Sequence, residues 1–306
     1  MSIGIDEIVQ TWNSGNLLVA IIIPKTTINS PKQESPFSMR ERVPILVPTV
    51  LIVVAESFFY FKQLETTLAI HSLNVLICIL LPVFTSYNPY LFQAFSLISL
   101  LRILNIGMPV FFTLTLYWFP FIYGAAILGA ILVVWKGPEG LLPLKNRISR
   151  AIGQYYASKR KAMTGWRYLY LPLGIVVGLV LAIVEYGVLR TGSLIPVLDL
   201  PNLLALAIVM FLFVGFGEEL IFRFILQTRL QKSIGDWGGV VLASVLFMTM
   251  HSGYSSVPYL FFVLVVGLIL GYAFHRTKSL GLVTVIHGSI NFFLFSFIPF
   301  GYLTLF

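Results

Sequence analysis

Apolar runs with few or no charges recur along the chain, at about 43–61, 67–87, 90–106, 109–135, 168–188, 201–226, 238–257, 258–274 and 280–300. A stretch of about 20 such residues, coiled as an α-helix, matches the hydrocarbon thickness of a bilayer. Backbone amides find no water in lipid, so the form open to these runs is one that satisfies the amides internally. Barrel strands alternate apolar and polar residues, whereas these runs are apolar on all faces, which argues against a transmembrane β-barrel. Composition agrees. Charged residues make up 10% of the 306 and mean hydropathy is +0.92, against ~25% charged in soluble domains. The expected fold class is an all-α, polytopic transmembrane helical bundle of eight or nine spans. The number depends on whether 90–135, punctuated by Asn88-Pro89 and Gly107-Met108-Pro109, forms two crossings or one crossing and a re-entrant piece.

The formal net charge of +8 is concentrated in one place. Lys136, Lys145, Arg147, Arg150, Lys159, Arg160, Lys161 and Arg167 lie within 136–167 against a single acid, Glu139. Between apolar runs this pattern reads as the positive-inside rule, with attraction to anionic lipid headgroups, and not as a nucleic-acid surface. With 136–167 cytoplasmic, the loops near Arg229/Lys232 and Arg276/Lys278 fall on the same side. The stretches 189–200 and 252–258, with Arg190 their one Lys or Arg, face away. Four spans before the basic loop also put Lys25, Lys32, Arg40 and Arg42 inside. The loop divides the chain into 1–167, an N-terminal transmembrane helical region ending in a basic cytoplasmic loop, and 168–306, which holds nearly all the intramembrane polar groups. No internal repeat is evident. The single Cys78 rules out an intrachain disulfide. Asp6 and Glu7 precede the short apolar run Leu17–Ile23 without a basic n-region, so no cleavable signal is expected. Gly174/Gly178 and Gly267/Gly271 are spaced for close helix packing.

An ionisable group in hydrocarbon costs roughly 2.5–3.5 kcal/mol even on insertion scales, so each one asks for a reason. Glu219 and Arg223 stand four apart on one helix, acid first, which is the favourable order for a pair. Glu218 is rotated by about 100° and has no local partner. The next apolar run ends in Phe247-Met-Thr-Met-His251, and the last contains His287-Gly-Ser-Ile-Asn291, again two polar groups on one face. With a rise of about 1.5 Å per residue, Glu218 lies roughly 16 Å from Arg229 and His251 about 20 Å from Gly238. His287 and Asn291 lie about 10 and 16 Å from Leu280. All four fall in one band reached from the cytoplasmic side. Glu56, Glu185 and Arg102 sit near span ends, where snorkelling is the ordinary explanation. His71 has no obvious partner set, and His275 borders the Arg276/Lys278 loop. No HExxH or GxSxG motif is present.

A carboxylate, two imidazoles and a carboxamide in a partly dry cavity are sufficient for peptide hydrolysis. Glu218 could take a proton from water and pass it to the leaving amine. His251 could hold or polarise that water, and His287 and Asn291 could donate to the developing oxyanion. Arg223 would keep Glu219 ionised and orient the helix. Two other classes use the same residues: a non-catalytic membrane scaffold or immunity-type partner with a buried polar network, and a transporter with a midplane ion site.

Glu218-Glu219-x-x-x-Arg223, Phe247-x-x-x-His251 and His287-x-x-x-Asn291, in this order on successive apolar runs, resemble the motifs of the CPBP intramembrane proteases. That group includes the type II CAAX prenyl endopeptidases and bacteriocin-processing and immunity-related membrane proteins. The resemblance covers about 168–300 and makes 168–306 a CPBP-like catalytic helical core. It implies Glu218 as the catalytic carboxylate assisted by His251, Glu219 and Arg223 completing the first motif, and His287 with Asn291 as the oxyanion site. The implied substrate is a membrane-associated peptide or lipidated protein, a prenylated CAAX-type C-terminus among the possibilities. A zinc set of Glu218, His251 and His287 with an open position for water is the alternative; a glutamate-dependent mechanism with no cofactor is the favoured expectation.

Overall fold

The computed structural model describes residues 39–85, 89–108, 116–136 and 169–302. They lie in one compact unit, Pro36–Phe306. The basic stretch, apart from Lys136 at a helix end, lies outside the described residues, as do Lys25, Lys32 and the Leu17–Ile23 run. Nine helices and no strand are found among the described residues: α1 Met39–Tyr60, α2 Leu64–Phe84, α3 Pro89–Gly107, α4 Phe119–Lys136, α5 Tyr170–Leu189, α6 Leu200–Ile234, α7 Asp236–Thr249, α8 Val257–Thr277 and α9 Leu280–Phe295. Six of them (α2, α3, α4 with its preceding turn, α5, α6, α8) are long and apolar enough to cross a membrane, and Ile45–Tyr60 and α9 are shorter apolar helices. The chain is an all-α integral membrane protein, as expected.

Helix starts follow local chemistry. Asp199 accepts from the Asn202 amide at the head of α6, with Pro201 in the first turn. Ser256 and Ser279 do the same for the Tyr259 and Leu282 amides at α8 and α9. Each cap satisfies one of the amides a helix start leaves without an intrahelical partner. α6 runs farther than its apolar run. Residues 227–234 are too polar to read as membrane, yet they continue the helix, and Arg229 is buried there, donating to the Tyr90 carbonyl rather than lying in a loop.

α6 is the centre of the bundle and touches α3, α4, α7, α8 and α9. Its backbone is not a uniform α-helix. π-helical stretches Val209–Gly215 and Leu220–Gln227 flank a single α-turn, Phe216–Glu219. Such wide turns within helices recur at functional sites, and here they flank the two glutamates. α1, α2 and α3 pack in sequence, α5 lies along α9, and α7 along α8. Leu73, Leu76, Ile79 and Leu80 on α2 and Val176, Val180 and Val184 on α5 are exposed, as expected for faces solvated by lipid tails.

Lipid tails are as apolar as leucine, so apolar burial alone gives membrane helices little reason to associate, and close backbone approach matters more. Gly178 supplies it between α5 and α9. A Cβ at Gly178 would stand 2.4 Å from the Ser289 Cβ and 2.7 Å from the Ile286 carbonyl oxygen. Gly178→Val is therefore expected to lower stability by about 1–3 kcal/mol or more through overpacking. Gly187→Ala, on the same helix with nothing within 4 Å of the added atom, should leave it unchanged. Unfolding midpoints of the two variants in detergent check this; equal midpoints would refute the assigned contact.

Candidate functional site

Glu218 and Glu219 lie on the α-turn of α6, and both are buried. The helix can approach α9 because Gly215 faces Gly288: a Cβ at Gly215 would lie 3.0 Å from the Gly288 nitrogen. That approach brings His287 onto the glutamates. Its Nδ1 stands 2.8 Å from Glu219 Oε1, and its Nε2 stands 3.8 Å from Glu218 Oε2. Glu219 Oε2 accepts from Arg223 Nε at 3.1 Å, so the expected pair forms, fully buried on both sides. A carboxylate bound to a guanidinium is acceptor-only, so His287 Nδ1 is the donor to Glu219.

The unpartnered Glu218 of the sequence reading finds its partner in another helix. The Tyr123 phenol, on α4, donates to Glu218 Oε1 at 2.5 Å, the length of a charge-assisted O–H···O⁻ bond. Glu218 Oε2 is buried and has no hydrogen-bond partner. One oxygen is thus held, and the other stands 3.8 Å from His287 Nε2 without a hydrogen bond.

His251 follows the end of α7. Its Nδ1 lies 2.9 Å from the Phe247 carbonyl oxygen. A carbonyl can only accept, so Nδ1 carries the proton, and Nε2 of the neutral ring offers a lone pair. The Phe247 ring packs against both imidazoles, with centroids 4.8 Å from His251 and 5.7 Å from His287, and the Arg223 guanidinium carbon sits 4.8 Å above it. Glu218, His251, His287 and Asn291 all line one cavity of about 470 Å³. Glu219 and Arg223 lie outside its lining, behind it. The structure thus gathers four of the six expected residues on one surface and places the other two outside it, bonded to each other and to His287.

Three groups read as snorkelling from their positions near span ends are buried instead. Glu185 is 6% exposed, lines the same cavity and accepts from the Tyr259 hydroxyl at 3.0 Å. Glu56 and Arg102 form a two-bond pair at 2.7 and 2.9 Å. His71 also has partners, Glu56 and Ser99. Nothing in its own apolar run marks Tyr123, whose partner is 95 residues away.

Among the described residues, no group of three or more His, Cys, Asp or Glu is disposed to hold a metal ion. Of the alternative zinc set, Glu218 and His287 are neighbours at 3.8 Å, while the His251 ring packs on Phe247 with its Nδ1 on the Phe247 carbonyl. The three side chains as arranged do not fit a shared metal.

No curated protein and no solved structure matches the chain. Residues 200–293 match the family model described as type II CAAX prenyl endopeptidase Rce1-like. The matched segment holds all six motif residues, from Glu218 to Asn291. The resemblance carried by those motifs is thus supported over residues 200–293, where the chain is similar to the type II CAAX prenyl endopeptidase Rce1-like family.

Proposed function

We propose that the protein is an intramembrane endopeptidase that hydrolyses a peptide bond in a membrane-associated substrate, a prenylated CAAX-type C-terminus being the substrate class to test first. The observation that carries this reading is Glu218: one oxygen fixed by Tyr123, the other without a hydrogen-bond partner beside a cavity shared with His251, His287 and Asn291.

In the proposed reaction, water held by His251 Nε2 gives a proton to Glu218 Oε2, and the hydroxide oxygen attacks the scissile carbonyl carbon. The carbonyl π electrons move onto oxygen, and His287 Nε2 and the Asn291 amide donate to that oxyanion. Donation from His287 Nε2 requires the ring protonated on both nitrogens, with Glu219 accepting at Nδ1. When the oxyanion collapses, the C–N bond breaks and Glu218 returns its proton to the leaving amine. Every proton taken from water thereby ends on a product. Glu219 and Arg223 orient His287 and α6, and Tyr123 orients Glu218. The site opening and the basic stretch 136–167 are assigned to the cytoplasmic side on the charge pattern alone.

Glu218→Gln keeps the shape and removes the base. In proteoliposomes with a farnesylated CAAX reporter it should lower kcat by about 10²–10⁴-fold, with elution and unfolding midpoint unchanged. Undiminished turnover by a folded Glu218→Gln protein would sink the mechanism. Mass spectrometry of membrane peptides from cells carrying the wild type or Glu218→Gln identifies natural substrates. Identical peptide sets, with full rescue by the mutant, would instead indicate a scaffold.

Asn291→Ala tests the oxyanion assignment separately, since it removes a donor and leaves the base intact. A loss of about 10²–10³ in kcat with little change in KM is expected. A raised KM at constant kcat would assign Asn291 to substrate binding.

Metal independence is the third expectation. Dialysis against a zinc chelator should leave the rate unchanged. Stoichiometric zinc, whose removal abolishes cleavage and whose return restores it, would overturn the glutamate-only scheme.

A further inference from the structure

We infer that Glu56, on α1, is a positioning residue that holds the His251 turn in register with Glu218; the inference rests on the peptidase reading of His251. The turn keeps local bonds to the end of α7: His251 N–H donates to the Met248 carbonyl at 2.9 Å, and His251 Nδ1 to the Phe247 carbonyl at 2.9 Å. α7 ends at Thr249 and α8 begins at Val257, and between them lie His251, a single 3₁₀ turn at Ser252–Tyr254, and Ser255 with φ of 52°. The local bonds set the shape of the turn, and contacts from α1 and α3 hold it in place against the rest of the bundle.

Those contacts converge on Glu56. Its carboxylate is 1% exposed and accepts four bonds: Arg102 Nε at 2.7 Å and His71 Nε2 at 3.2 Å on Oε1, Arg102 Nη2 at 2.9 Å and Ser252 Oγ at 2.6 Å on Oε2. Four donors fill the lone-pair sites of a carboxylate. Two of the four lead to the turn. Ser252 is the residue after His251, and Arg102 Nη2 also donates to the carbonyl of Met250, the residue before it. His251 is therefore gripped on both sides through one carboxylate.

The rest of the network keeps that carboxylate from turning. Asn74 Nδ2 donates to Ser99 Oγ at 2.8 Å, and Ser99 lies 3.0 Å from His71 Nδ1. With Ser99 O–H donating to Nδ1, His71 Nε2–H donates to Glu56, so the chain of donors runs one way. All of these groups are buried. Secondary ties act on the same turn: Lys62 donates to the Gly253 carbonyl, and Ser255 Oγ to the Tyr60 carbonyl at 2.7 Å. Glu56 is absent from the cavity lining, so it acts through the turn and not on substrate. Residues 56, 71, 74, 99 and 102 all lie outside the matched segment 200–293, which gives the N-terminal helices a part in the site.

The test uses full-length protein in detergent and proteoliposomes. Glu56→Gln retains size but loses the charge and two acceptor sites. Ser252→Ala removes only the link to the residue after His251 and leaves the Glu56–Arg102 pair. We expect kcat on the farnesylated CAAX reporter to fall 10- to 100-fold for Glu56→Gln and 3- to 10-fold for Ser252→Ala, with KM within twofold of wild type. The chain holds four histidines, so ¹³C-labelled imidazoles provide an independent readout. The His251 resonance, assigned by its loss in His251→Gln, should shift in both variants, while that of His275 stays in place. If Glu56→Gln fails to fold, Ser252→Ala carries the test alone. A folded variant with wild-type kcat and an unmoved His251 resonance overturns the proposal, as does a loss of kcat with that resonance unmoved. Should the wild type cleave no substrate, the peptidase reading fails, and the resonance shift still decides whether Glu56 positions His251.

Discussion

The fully buried Glu219 carboxylate is the interaction on which the rest of the site depends. Taking a charge out of water is costly unless it is paired and its lone pairs are satisfied. Glu219 meets this with Arg223 from its own helix and His287 from α9. The first bond is local and stabilises α6; the second binds α6 to α9 and sets the ring plane of His287. Arg223 then has two nitrogens, Nη1 and Nη2, buried without hydrogen-bond partners. Its guanidinium lies over the Phe247 ring instead, a contact worth about 2 kcal/mol or more when desolvated. Phe247 belongs to α7 and touches both imidazoles. One carboxylate therefore fixes three helices, and the distance between Glu218 and His287 is a consequence of that arrangement.

How much of this is legible in the sequence follows from how local each interaction is. The helices stand out because lipid imposes long apolar runs, and Glu219 with Arg223 stands out because four residues make one turn. His287 and Asn291 share a face for the same reason. Tyr123 is hidden, since a phenol in an apolar helix is ordinary and its bond spans 95 residues. Glu56 and Arg102 read as interfacial, because a span end near headgroups and a span end packed under a buried turn look alike in sequence. Only the 250–255 turn distinguishes them, and its packing on α1 and α3 is a tertiary fact. The π-helical stretches in α6 are equally silent, as rotation of 100° per residue is assumed by any reading of helical faces.

These observations share a cause. In water, apolar burial both drives compaction and selects the core, but in a bilayer the hydrocarbon solvates apolar side chains as well as another helix does. What remains to specify one arrangement is close backbone contact, as at Gly178 and Gly215, and polar groups that lipid cannot satisfy. The chain places both kinds of determinant around the cavity. Glu219 ties α6 to α9, Tyr123 ties α4 to α6, and Glu56 with Arg102 ties α1 and α3 to the turn after α7. The elements that present Glu218, His251 and His287 are thus among those cross-linked by buried hydrogen bonds, and the same side chains contribute to helix packing and to site geometry. A polar network of this kind is costly when half satisfied. A substitution that breaks one of these links is therefore felt first in the spacing of the cavity-lining groups and only second in the bundle as a whole, whose apolar faces lipid would continue to solvate.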